Sequence, residues 1–572
     1  AFNAAFERTC LSRYLNTQLN PDEWQCTMVR AAMAGLPLSL DMAGKALGLE
    51  NGKMTEGRAL IKLFSKPDRS GKKHNAVSDP DKWKTFIEYN RRDVEVENAV
   101  RKMTDVEVTD FERQLYAIDQ NINDRGVKLD MTLVRNAIRM SDIYTGKLSA
   151  EAQKLTGMDN PNSVAQIKKW LLDVTGNEVT SLSKKTVPAI IAGSDNDTVD
   201  RLLAIRQEMG KTSVKKYEAM QSCVCRDDRV RGLLQFFGSH TGRWAGRLVQ
   251  VQNLPQNHLK DLDYARRIVR DGDLVTLETL FGNALDTLSQ LIRTAFVAEE
   301  GKTFIVADFS AIEARVISWL AGEQWRLDVF RTTGKIYEAS AAKMYHCSPE
   351  EITKTDPRRQ KGKIAELALG YGGGVGALLK MGGEKMGLSE GEMKEIVLNW
   401  RSQSPAIVGL WSSFEKSAAI AVHDTKTSYN GIRFGMCGTS MAVTLPSGRN
   451  LYYPNMRIAD RLKFGKTAST LVFDSQNQTT KKWGSEDTYG GKLTENIVQA
   501  IARDCLAVTI TRLEEKGYPI VFHVHDEIIA EVPDDGTKTL DEVLEIFRTP
   551  ISWAEGLPLK GDGYVTKYYL KD

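Results

Sequence analysis

The sequence predicts a multidomain protein of α/β class, and three observations carry that expectation. Its 572 residues are 42% hydrophobic, enough for several cores and so for two to four domains. Alternation of strand-like and helix-like patterns begins near Thr303 and runs on through long helical patterns to about residue 425. A final helix over about 493–516 leads into a hairpin from Pro519 to Val532.

The remaining elements follow in chain order. Residues 1–105 mix short apolar runs with helices, interrupted by a polar stretch from Asp68 to Asp81 that reads as a surface loop. Residues 106–230 are helical and charge-rich, including Arg201 to Met220 with few β-branched side chains. A Gly-rich turn region, Phe237 to Arg243, follows. Thr303-Phe304-Ile305-Val306-Ala307 is a short apolar run of the kind that forms a buried strand, and Ala311 to Leu320 continues as a helix. Asp356 and Pro357 supply an N-cap and a first-turn residue for the next helix. Residues 426–490 are turn-rich and polar, and no repeat or low-complexity tract interrupts the chain.

Composition excludes several classes. A formal charge of +3 announces no nucleic-acid binder by itself, so local clusters matter more, such as the five basic residues against one acid in Lys354 to Lys363. Seven scattered Cys without a CxxC pair predict a reducing compartment rather than a disulfide framework. No apolar run approaches the roughly 18 residues of a membrane helix. The expectation is a protein of the cytoplasm with no membrane partner. The chain opens on Ala1 without a signal-peptide pattern, and an upstream segment is expected.

Two carboxylate motifs carry the chemistry: Val306-Ala307-Asp308-Phe309-Ser310 and Val524-His525-Asp526-Glu527. Each sets an Asp at the end of an apolar, strand-like run. Brought together, the two could bind a pair of Mg²⁺ ions roughly 3.5–4 Å apart, as phosphoryl transfer requires. Alone, either Asp reads as an ordinary turn residue. His523 and His525 would share one face of a strand, but no further His cluster completes a metal-hydrolase site. Between the motifs, Arg359, Lys363, Leu367 and Tyr371 recur every four residues along a stripe about 18 Å long at ~1.5 Å per residue. Two cations near a helix N-terminus oppose its dipole unless an anion sits between them. Gly210-Lys211-Thr212 suggests a P-loop, but Ile205 stands where the first Gly belongs and no strand precedes it.

In this order the three motifs resemble motifs A, B and C of the family A (DNA polymerase I type) DNA polymerases. The resemblance implies a right-hand fold of palm, fingers and thumb and template-directed addition of dNTPs to a primer 3′-OH, with Mg²⁺ as cofactor and Mn²⁺ as its substitute. It implies Asp308 and Asp526 as metal ligands, supported by Glu527 and His525, and Arg359 and Lys363 as triphosphate ligands, with Lys363 also protonating pyrophosphate. Tyr371 guards the template–primer terminus, and Glu313 blocks the ribose 2′-hydroxyl, with Arg315 as structural support. Leu367 stands where the family usually has an aromatic residue, a feature of phage and viral members. Tyr337 stands for a usual phosphate-contacting His. Thr241-Gly242-Arg243, Gln252, Asn253, Arg293 and Gln499 resemble residues gripping the duplex minor groove, where acceptors common to all base pairs check geometry without reading sequence. Lys211, Lys215 and Lys216 suit phosphate contacts.

Phe2 to Glu7 and Tyr89-x-x-x-Asp93 resemble the second and third motifs of a DEDD 3′–5′ exonuclease, with Glu7 in place of an Asp and the first motif expected upstream. Weak or absent proofreading follows. The implied division is a partial, ribonuclease H-like exonuclease domain at 1–105, thumb at 106–232, palm at 233–320 and 491–572, and fingers at 321–490. Primer–template DNA, dNTPs and replication accessory proteins are the expected partners, in a host cytoplasm for a phage enzyme. Two competing readings are a metal-dependent nuclease using the same carboxylates, which leaves the basic helix unexplained, and a non-catalytic primer–template-binding protein.

Overall fold

The computed structural model describes residues 1–49, 54, 56–68, 70–104, 106–184, 186–463 and 465–571. Its organising element is a four-stranded antiparallel sheet of β1 (Lys302–Phe309), β2 (Ile520–Val524), β3 (Glu527–Pro533) and β4 (Gly561–Thr566), in the order β2-β3-β1-β4. β2 and β3 form a hairpin, and β1 joins it from more than 200 residues upstream. β1 is buried from Thr303 to Ala307, in keeping with its mostly apolar run in place of alternation. The two sequence segments predicted to form one unit, 233–320 and 491–572, thus share a sheet.

Four helices frame the sheet end: α1 (Ile312–Ala321), α2 (Ile336–Tyr345), α3 (Pro357–Leu369) and α4 (Gly490–Glu515). α4 is the spine of the core, with apolar residues such as Leu493, Ile497, Ile501 and Ile510 essentially inaccessible to solvent. α2 and α3 touch backbone to side chain at Gly362, where an added Cβ would lie 2.4 Å from the Tyr337 carbonyl oxygen. Any larger residue there would push the helices apart. The buried Glu366 carboxylate locks the pair, accepting from Ser340 Oγ at 2.6 Å and Trp400 Nε1 at 2.9 Å and pairing with Arg326.

Several expectations change. Residues 426–490 are not mainly turns. They form two antiparallel sheets of seven strands, Thr427–Tyr429 to Asn450–Tyr453 and Arg457–Lys463 to Trp483–Thr488. The missed signal is hairpin chemistry: Asn430 and Gly431 both have positive φ, 46° and 79°, between alternating strands. The predicted helix at 201–220 is broken at Gly210 into Asp197–Met209 and Lys215–Cys223, joined by a short 3-10 turn. A second hydrophobic cluster, including Leu148, Ile167, Leu171 and Leu202, gives residues 148–205 a core of their own. The described residues of 1–104 form helices, with no strand among them. The polar loop from Asp68 ends at the helix Pro80–Met103, and Arg69 lies outside the described residues. No described helix is long and apolar enough to cross a membrane.

Candidate active site

The carboxylates meet by sheet register. Glu527 on β3 pairs directly with Asp308 on β1, and Asp562 on β4 pairs with Asp308 from the other side. Directly opposed residues in an antiparallel pair have Cβ atoms about 4.5–5.5 Å apart, so like charges there repel unless something compensates. Asp526 lies one residue before Glu527, in the turn, and its carbonyl accepts from Phe309 N–H at 3.3 Å. Burial and mutual repulsion push the Asp308 carboxyl well up from the ordinary carboxylate range. Asp526 and Glu527 are raised too, burial being the main cause for each. Asp308 Oδ1 is buried with no hydrogen-bond partner.

Both corners that present these acids hold a non-glycine residue in the left-handed region: Ala311 at φ 52° before α1 and His525 at φ 54° in the β2–β3 turn. Such backbone persists only when its surroundings fix it. At the hairpin the fixing group is Gln252, whose Oε1 accepts from His525 N–H at 2.7 Å and whose Nε2 donates to the His523 carbonyl at 3.0 Å. Gln252, expected against DNA, is therefore buried and clamps the acid-bearing turn. At the other corner Arg315 donates to the carbonyls of Ser310 at 2.6 Å and Pro558 at 2.7 Å, the supporting role expected of it.

α3 begins as predicted, with the Asp356 carboxylate accepting from Arg358 N–H at 2.7 Å. It ends at Leu369, so Arg359, Lys363 and Leu367 share the helix while Tyr371 sits in the turn beyond it. Arg359 donates to Glu338 at 2.7 Å, and the Tyr337 ring lies 5.7 Å from the Arg359 guanidinium and 5.9 Å from the Lys363 ammonium. No ion pair engages Lys363 among the described residues. Burial and the Glu366 charge raise the Tyr337 phenol, with Asp526 also contributing, so the ring that lies near both cations also feels the charge of the acids. Leu367 is exposed.

Glu313 is the hub of a second cluster. One oxygen accepts from Arg243 at 2.6 Å and the other from the Tyr371 hydroxyl at 2.7 Å. Burial and Glu313 together push the Tyr371 phenol up. The Tyr371 turn is fitted against α4: a Cβ on Gly491 would lie 2.3 Å from the Tyr371 carbonyl oxygen, and Trp411 Nε1 donates to the Gly370 carbonyl at 2.9 Å. Three residues picked separately from the sequence, Arg243, Glu313 and Tyr371, thus form one connected unit, and the Arg243 charge acts on Asp526.

A cationic helix beside a repelling carboxylate group is an arrangement for transferring phosphoryl or nucleotidyl groups. The comparisons with known proteins decide which. The family model described as DNA polymerase family A matches residues 136–457. A DNA polymerase of Bacillus phage SP02 is 51% identical over 582 aligned positions, covering 100% of this chain and 89% of that protein. The chain belongs to DNA polymerase family A. It is a DNA-directed DNA polymerase that carries out template-directed DNA synthesis, and polymerases of this family use divalent metal ions. Thermostable DNA polymerase I of Thermus aquaticus is 24% identical and covers 74% of the chain, which spans 44% of that longer protein. The POL domain of Pol1 from M. smegmatis, solved with DNA primer-template and dNTP, shares the fold at a TM-score of 0.59 and 15% identity, over 95% of this chain and 81% of that one.

The other expected site residues of this family A polymerase are scattered. Asn253 is exposed beside the Gln252 clamp, and Gln499 lines a cleft of about 360 Å³ together with Thr241 and His240. Arg293, expected at the duplex, is buried and spent on the carbonyls of Pro255 at 2.7 Å and Leu254 at 2.8 Å, with Tyr569 as a third partner. Lys211 pairs with Asp286, and Lys216 donates to the Val249 carbonyl at 2.7 Å, which leaves Lys215 exposed. His525 is exposed on its turn, whereas His523 is buried and its ring is held neutral, pushed down to about 3 mainly by burial. Glu7 and Asp93 line one cleft of about 450 Å³. Tyr89 lies elsewhere, buried over Gly57 and stacked on Phe86. Sequence reasoning missed Tyr569, which donates to Glu527 at 2.5 Å, and Lys571, because neither belongs to a motif.

Proposed function

We propose that Asp308 and Asp526 hold two Mg²⁺ ions, replaceable by Mn²⁺, and that the surrounding residues bind and orient primer and dNTP for nucleotidyl transfer. The observation that carries this reading is the register bringing Asp308, Glu527 and the Asp526 turn to one sheet end. The donor set fits the ions: carboxylate oxygens, one of them buried without a partner, and Mg²⁺ needs only one or two acidic ligands plus substrate phosphates. No group of three or more His, Cys, Asp or Glu side chains that could hold a metal ion occurs among the described residues, so the proposed ligands are the two aspartates alone. When bound, such ions activate the primer hydroxyl and neutralise the leaving pyrophosphate.

The chain's own residues do the rest. Arg359 and Lys363 take the triphosphate, and Lys363 passes a proton to the pyrophosphate oxygen as its bond to the α-phosphate breaks. The primer 3′-oxygen forms the new bond from the opposite side. Tyr337 lies under both cations and contacts phosphate, and exposed Leu367 offers its side chain to the base and sugar. Glu313, with both oxygens held, is a rigid gate against a 2′-hydroxyl. Arg243, Asn253 and Gln499 face the minor groove, and Lys215 contacts backbone phosphate.

Residues 106–232 act as thumb, 233–320 with 491–572 as palm, and 321–490 as fingers. Residues 1–105 proofread weakly or not at all. The setting is a host cytoplasm, with primer–template DNA and dNTPs as partners and accessory replication proteins as further ones. Extension of a labelled primer by dNTPs, against NTPs and in the Asp526→Asn variant, tests this assignment. Extension confined to dNTPs and lost in the variant is expected. Primer shortening without extension would replace the reading with a nuclease.

A further inference from the structure

The opposed pair Asp308 and Glu527 has one ion-pairing cation among the described residues. Lys571 Nζ lies 3.9 Å from Asp308 Oδ2 and 3.9 Å from Glu527 Oε2, and among the described residues neither carboxylate forms another ion pair. That distance is too long for a hydrogen bond to either oxygen and equal to both, the position of a bridging charge rather than of a committed pair. The segment carrying it is fixed. Tyr569 is buried and donates to Glu527 Oε1, and Lys571 N–H donates to Asn257 Oδ1 at 3.3 Å. Asn257 in turn donates to the Gln290 carbonyl at 2.6 Å. The Lys571 side chain is 27% exposed, so solvent screens its charge only in part.

We infer that Lys571 is a built-in counter-cation for the sheet-end carboxylates. It holds Asp308 and Glu527 together in the metal-free polymerase and opposes a divalent cation arriving there, which lowers the resting affinity of the site. This rests on Asp308 and Asp526 being the metal ligands. The physical reason is that two opposed carboxylates repel once ionised, and a lysine tethered by its own backbone supplies compensating charge without leaving. A fixed positive charge also makes full metal occupancy depend on the extra oxygens that nucleotide phosphates bring. The site is thereby completed when substrate is present and released with pyrophosphate.

Titration of the metal-free full chain with Mn²⁺ alone, followed by electron paramagnetic resonance, tests the inference apart from activity. Lys571→Met is expected to bind Mn²⁺ about tenfold more tightly than the parent, and to melt about 1–3 °C lower in chelator. Lys571→Arg keeps the charge and should match the parent in both readouts. In a Glu527→Gln background, which removes one partner without touching Lys571, the effect of Lys571→Met should shrink. Unchanged or weaker Mn²⁺ binding in Lys571→Met, with binding still lost in Asp308→Asn, overturns the counter-cation and leaves the metal ligands standing. Mn²⁺ binding retained in Asp308→Asn overturns both.

Discussion

Two acidic sites in this chain began as similar sequence patterns and ended differently. At the sheet end, Asp308 and Glu527 sit on antiparallel strands whose register sets them side by side, with Asp526 in the adjoining turn, a clamp at Gln252 and a cation at Lys571. In the N-terminal layer, Glu7 and Asp93 sit on two helices that line a common cleft, while Tyr89 points into packing against Gly57. Burial raises the Glu7 carboxyl, with the N-terminal ammonium opposing the shift and Glu97 adding repulsion, and no strand register among the described residues sets the spacing of the group. A row of acids becomes a phosphoryl-transfer site only where a rigid element fixes their spacing and neighbouring groups bear their repulsion.

The largest test of that contrast is charge removal at each site. Asp308→Asn or Asp526→Asn is expected to lower the primer-extension rate by on the order of 10³ or more, since groups stabilising developing charge carry much of the barrier. Asp93→Asn and Glu7→Gln should leave extension within about twofold, and trimming of a mismatched 3′ end should be negligible before and after the change. Efficient trimming by the parent chain, lost in Asp93→Asn, would erase the difference between the two regions.

A second test stays at the sheet end but spares the acids. Glu313→Ala opens the gate held by Arg243 and Tyr371, and incorporation of NTPs relative to dNTPs should rise by about 10²-fold, measured as a ratio of kcat/KM. Gln252→Ala removes two hydrogen bonds that hold a left-handed His525. The expected result is about a tenfold slower single-turnover rate with nearly unchanged duplex affinity, because about 1–3 kcal/mol of buried hydrogen bonding acts through the Asp526 turn. A Gln252→Ala variant that weakened duplex binding and kept its rate would return Gln252 to the DNA-contacting role.

The smallest expected effect is on pH. Burial raises Asp308, Asp526 and Glu527 above their unfolded values, so the folded, metal-free chain keeps protons that the unfolded chain releases. The stability they contribute is present at low pH and is lost as pH rises. For Asp308 the window runs from about 4 in the unfolded chain to about 8 in the folded one. In chelator the melting temperature should fall by a few degrees across that window, and Asp308→Asn should flatten the slope. The raised Glu7 carboxyl of the N-terminal cleft adds a contribution of the same sign.

Much of the catalytic end was legible because its signals are local. An apolar run ending in Asp308, a capped helix at Asp356 and cations spaced by four each follow from one stretch of chain. The hairpin bearing Asp526 was equally local. What could not be read was set by long-range packing. Gln252 and Arg293 look like polar surface residues in sequence, yet the fold buries both and spends them on backbone carbonyls and Tyr569. Lys571 and Tyr569 reach the acids only because β4 pairs with β1, and no motif marks them. The sheets of residues 427–488 were hidden by polar, exposed strand faces, although Asn430-Gly431 marked a hairpin.

The central claim is that the sheet-end carboxylates perform the chemistry and the duplex is held elsewhere. Single-turnover extension and duplex affinity, measured together on Asp308→Asn, test it most directly. The account predicts primer–template binding within a few-fold of the parent and nucleotide addition lost. Nucleotide addition that survives, or binding that fails together with it, would contradict the account.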